Sequence, residues 1–160
     1  KKMEENIPSE TIPIQSEDLH YQVARIYGDL DEKNLMKEII EDLVARKNGK
    51  PVNRVEYANT LYQELGDPDK AIDILEEMRS EFLQIESILS IKGFDKNFIS
   101  RRRWNQWQKA YPEVVNSLVY IYRKNDRNFD AEIVLSDWVL RNPKDTNAQE
   151  ILEQIRSGKK

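Results

Sequence analysis

The chain of 160 residues contains no cysteine. Disulfide staples, thiolate metal sites and thiol nucleophiles are therefore excluded together. Histidine occurs once, as His20, which excludes a histidine-based metal cluster and leaves a general base without its usual second partner. His20 reads as a helix-face residue. Glycine is scarce, at five residues, and the sequence holds no glycine-rich phosphate loop, activated-serine motif or paired metal ligands. No catalytic residue, cofactor or metal is expected of this chain. Apolar runs are short, and none approaches the ~18–20 residues of a membrane span. Lys1-Lys2 has no apolar stretch behind it to act as a signal peptide, and Met3 is not at the terminus. Such a start is expected of one piece of a larger protein with its targeting information elsewhere.

What the chain does have is 39% apolar and 34% charged residues, spaced as in amphipathic helices. An all-α fold is expected. The net charge of −4 is unevenly divided: residues 1–80 hold 11 basic and 18 acidic side chains, and residues 81–160 hold 14 and 11. So mild a balance argues against general nucleic-acid binding.

Pro8 and Pro13 make residues 1–15 an extended N-terminal arm. Ser16 is placed to cap a helix reaching Tyr27, with Leu19, Val23 and Ile26 or Tyr27 inward. A second helix to Arg46 carries Leu35, Met36, Ile39, Ile40 and Leu43 at helical spacing. Asn53 and Glu56 form a capping box for the next helix, and Gly66-Asp67-Pro68 supplies a stop, an N-cap and a first-turn proline in succession. From Pro68 an apolar stripe through Ala71, Leu75, Met78, Phe82, Ile85 and Leu89 outruns its partner helix. Its extra turns need a cover, either the following helix with Trp104 and Trp107, which is the favoured reading, or a second protomer or the membrane-embedded body of the same protein. That following helix, about 96–111, is expected to end before Pro112, where another begins.

Tyr27 and Tyr62 are 35 residues apart, close to a 34-residue helical-hairpin period, and Tyr62 and Tyr122 are 60 apart. The pattern is three degenerate hairpins, about 16–47, 53–91 and 112–142, interrupted by one inserted helix. A last helix at about 146–157 caps the stack, and residues 16–160 form one domain.

In Gly66-Asp67-Pro68-Asp69-Lys70-Ala71-Ile72 and in Asp126 to Pro143, the chain resembles the tetratricopeptide repeat family. Ala58, Ala71 and Ala131 stand where paired helices approach, and Pro143 follows the second helix of a hairpin. Met36 departs from this pattern, as does the missing leucine–glycine pair of the first helix. The resemblance implies an α-α superhelix with a groove for a peptide or helix, with Tyr21, Arg25 and Tyr57 on the groove side. The Lys/Asn/Arg set that clamps C-terminal carboxylates in chaperone-binding members is absent. The proline-bearing arm, the hairpins and Trp138 to Pro143 also look like the soluble C-terminal tail of bacterial multi-spanning proteins of the protein O-mannosyltransferase-like class. That likeness implies an extracytoplasmic accessory domain that positions the acceptor of a membrane glycosyltransferase; without it a cytoplasmic location is expected.

Arg101-Arg102-Arg103-Trp104 with Trp107 is the sharpest local feature, because residues 92–127 hold nine basic and three acidic side chains. Arginine forks and indole faces suit an anion or glycan. Indoles three residues apart are more often the apolar stripe of a helix, and that reading is favoured. Asp126-x-Asn128-x-Asp130 copies half of a calcium loop but has Ala131 where the loop needs glycine, so it reads as a turn with a cap. Adjacent Glu76-Glu77 point about 100° apart on a helix and do not face one another as an acid/base pair. The expected function is non-catalytic: a scaffold for protein or peptide contact, or for docking against the membrane-embedded part of its own chain. Self-association is compatible with this reading, and nucleic acid is not an expected partner.

Overall fold

A computed structural model describes residues 17–46, 49–93 and 98–158. All regular structure among the described residues is helical: α1 (Glu17–Asp29), α2 (Lys33–Ala45), α3 (Pro51–Gln63), α4 (Pro68–Lys92), α5 (Arg101–Lys124), α6 (Asn128–Arg141) and α7 (Thr146–Arg156). Each helix from α1 to α7 packs on its successor, and α3 also packs on α5. The expected arm at 1–15 and the Ser16 cap lie outside the described residues.

Local chemistry sets most boundaries. Gly66 takes the left-handed conformation, with φ 64°, that ends α3 without a Cβ penalty. The Asp67 carboxylate then accepts from the Lys70 N–H at 3.1 Å, and Pro68 occupies the first turn of α4, where no N–H partner is needed. Asp145 caps α7 in the same way through the Ala148 N–H at 3.0 Å, and Ser100 caps α5 through Arg103 at 3.2 Å. The expected capping box at Asn53 does not open α3. The helix begins two residues earlier at Pro51, whose fixed φ follows extended Lys50, and the Asn53 amide instead reaches Asp18 at 3.3 Å.

A second correction concerns Pro112. The expected inserted helix at 96–111 and the expected first helix of the third hairpin are one helix, α5, with Pro112 inside it; residues 94–97 lie outside the described part. Proline removes one hydrogen bond and crowds the preceding turn. Here Trp107, Ala110 and Tyr111 before it and Val114, Val115 and Leu118 after it are all buried. Packing on both sides of the proline holds the helix together, at about 1.5–3 kcal/mol for each large apolar side chain removed from water.

One core runs from Ala24 on α1 to Leu152 on α7. The α4 stripe enters it as expected, with Ala71, Leu75, Met78 and Phe82 buried and Ile85 and Leu89 half-buried. Its extra turns are covered by α5, where Trp104 and Tyr111 both stack on Phe82. On α1 the expectation holds in part: Tyr27 packs against the core and Val23 is half-buried, whereas Leu19 and Ile26 are 61% and 56% exposed and Ala24 is the buried apolar residue. Among the described residues α2 is the main neighbour of α1 and covers one of its faces.

Candidate functional site

Two groups of residues stand out in the sequence, and the structure uses most of them for packing. On α1, Tyr21 is half-buried, with its hydroxyl 2.9 Å from Thr60 Oγ1 and its ring 5.1 Å from that of Tyr57. Tyr57 is only 1% exposed and donates its O–H to Glu17 Oε1 at 3.2 Å. Burial, followed by the Glu17 charge, pushes the Tyr57 phenol well above its ordinary value. Arg25 lies at the surface and pairs with Glu64, which raises its affinity for its proton.

The arginine and tryptophan cluster divides along the helix. Trp107 is 2% exposed and belongs to the core, while Trp104 lies against Phe82 with ring centroids 5.3 Å apart and planes 16° from parallel. Tyr57 and Trp107 therefore present no surface to a partner. Arg103 turns inward and donates from Nη1 to the Gly49 carbonyl at 2.5 Å. Burial, and then the neighbouring Arg54, lower its pKa. Arg101 and Arg102 stay exposed. Tyr57 and Arg103 thus converge near buried Glu17, where a Cβ on Gly49 would sit 2.5 Å from Glu17 Oε1. This junction ties the starts of α1, α3 and α5 together. Among the described residues no cluster of three or more potential metal ligands exists, and no helix is long and apolar enough to cross a membrane.

The concave feature that sequence reasoning missed lies between α5, α6 and α7. It is a groove of about 590 Å³ with an apolar floor of Val119, Leu135, Ala148, Ile151 and Ile155. Helix α6 packs on both α5 and α7, so the two outer helices flank a trough whose floor α6 helps to form. Polar groups rim it. The Asp145 carboxylate is already occupied, accepting from the Trp138 indole N–H at 2.9 Å and from the Ala148 N–H at 3.0 Å. Those two bonds hold its pKa below the usual carboxylate range. Arg123 is half-buried and, among the described residues, makes no ion pair. Asn116 and Asn147 extend exposed amides at the rim, and the Lys124 ammonium lies 5.7 Å from the Tyr120 ring centre.

Such a trough can hold an apolar side chain and hydrogen-bond an extended backbone. A second depression, about 500 Å³, has Ile74 as its one large apolar residue, and both of its lysines are tied up in the pairs Lys37–Asp67 and Lys70–Glu41. Its chemistry is spent on holding α2 against α4. No family model, curated protein or solved structure matches the chain. The sequence signals for the groove were the apolar stripe of α7 and the Leu118 to Tyr122 segment, which periodicity alone assigns to the interior.

Proposed function

We propose that this chain is a non-catalytic binding module of the tetratricopeptide-like kind, which takes a polypeptide segment in the groove between α5, α6 and α7. The observation that carries this reading is the groove itself: an apolar floor of several side chains beside exposed amides and a half-buried cation. Apolar floors supply affinity, and a few convergent polar groups fix the register of a bound chain.

The repeat reading has separate support. Ala58, Ala71 and Ala131 are fully buried where consecutive helices approach. Gly66-Asp67-Pro68 turns one helix directly into the next. Stacked hairpins leave the flank of the array open as an extended binding surface.

Panning a random peptide library on the immobilised protein tests the proposal. Recovered peptides should lose binding in Ile151→Asp, which places a charge on the floor, and keep it in Leu140→Asp, on the exposed side of α6. Failure to recover peptides, or binding indifferent to Ile151→Asp, overturns it.

A further inference from the structure

We infer that the segment held by this groove is acidic as well as apolar, and that it lies extended along the solvent face of α5. The inference rests on the groove reading above and names the chemistry of its occupant. The protein as a whole is acidic, with a net charge of −4. Helix α5 is the exception, carrying six basic residues against the single carboxylate Glu113. Arg103 is spent on Gly49. Arg102, Lys109, Arg123 and Lys124 fall on one side of the helix.

The spacing of these charges fits a polypeptide. From Arg102 to Lys124 the helix rises roughly 33 Å, which an extended peptide of about ten residues also spans. Between the basic ends lie the exposed amides of Asn105, Gln108 and Asn116, each able to donate to a backbone C=O and accept from a backbone N–H of an extended chain. The C-terminal end of the track opens into the apolar floor at Val119 and Ile151. A nucleic-acid strand would meet Glu113 and a gap of about 21 Å without a cation between Lys109 and Arg123. A peptide with alternating carboxylate and apolar side chains meets a partner on each side: apolar residues toward the floor, and carboxylates toward Arg123 and Lys124 at one end and Arg102 and Lys109 at the other. Asp126 and Asp145 also border the groove; the Asp145 carboxylate keeps its charge, but its oxygens are turned to two internal donors, the Trp138 indole and the Ala148 N–H.

Fluorescence anisotropy with three labelled probes tests this: a peptide of about ten alternating Glu and Leu residues, its Gln/Leu counterpart, and an oligo-dT strand of similar length. The Glu/Leu peptide should bind roughly tenfold tighter than the Gln/Leu peptide at low salt, and the advantage should shrink as salt rises. Reversing charge in the pair R123E/K124E should abolish the advantage while leaving Gln/Leu binding intact. R102E/K109E, at the far end, should reduce it severalfold, and Ile151→Asp should lose both peptides. Equal binding of the two peptides overturns the acidic partner and leaves the groove reading standing. Binding of neither overturns both, and tighter binding of oligo-dT overturns the inference in favour of a nucleic-acid track. Circular dichroism melts of every variant separate lost binding from lost fold.

Discussion

Arg54 on α3 and Glu81 on α4 form a two-pronged ion pair, with Arg54 Nη1 at 3.1 Å from Glu81 Oε1 and 3.0 Å from Oε2. Arg54 Nη2 reaches Glu77 at 3.2 Å, one helical turn away. The partners are not equally buried: the arginine side chain is 1% exposed, and those of Glu81 and Glu77 are 33% and 47% exposed. The cation is therefore the group that depends on the pairing.

It follows that removing the carboxylates should hurt more than removing the arginine. An uncompensated buried charge costs about 3–5 kcal/mol, whereas a half-exposed carboxylate recovers hydration. Glu77→Gln with Glu81→Gln should lower unfolding stability by about 3 kcal/mol or more, and Arg54→Met by about 1–2 kcal/mol. Urea unfolding at neutral pH measures both. The reverse order would mean that Arg54 acts mainly by packing.

Stability should fall on both flanks of neutral pH. The Asp67 carboxyl is held below its ordinary value by the Lys37 ammonium at 2.8 Å and by the Lys70 N–H, and that of Asp145 by the Trp138 indole and the Ala148 N–H. A carboxyl depressed on folding contributes fully above about pH 4 and loses that contribution as pH drops through its folded value. On the other flank, burial raises the phenols of Tyr57 and Tyr122 on folding, so their contribution is complete below about pH 10 and declines as pH climbs beyond it. Asp67→Asn together with Asp145→Asn should flatten the acid limb of a stability–pH curve, and Tyr57→Phe the alkaline limb. Unchanged limbs would rule out these groups as the cause.

Within the segment Arg101 to Trp107, consequences should differ sharply by position. Trp107→Ala empties a fully buried indole site and should cost about 3–5 kcal/mol. Exposed Arg102→Ala should change stability by no more than about 0.5 kcal/mol. Thermal and urea unfolding of the two variants decide it, and comparable losses would contradict the division of this helix into an inner and an outer side.

Pro112→Ala should stabilise the protein. Alanine returns a backbone donor to α5 and removes the ring from the preceding turn, a gain of about 1–3 kcal/mol set against the loss of some half-buried contact. A raised urea midpoint with an unchanged slope is the expected result. Destabilisation would show that the ring packs against the body more than it disturbs the helix.

The chain's own order of residues determined its helices and turns. Gly66-Asp67-Pro68, the Asp145 cap and the stripe from Ala71 to Phe82 act through neighbours within a few residues, so they can be read without knowing what lies opposite. Tertiary structure alone decided the rest. Pro112 interrupts nothing because α5 is held on both sides of it. Leu19 and Ile26 point to solvent because no helix among the described residues covers that face of α1, whereas Tyr57 and Trp107, which suit a binding surface chemically, are enclosed. The groove beside Arg123 exists only because α6 holds α5 and α7 apart. Backbone hydrogen bonds and caps are short-range in sequence, whereas covering a face requires residues tens of positions away, and that information is not local to any one segment.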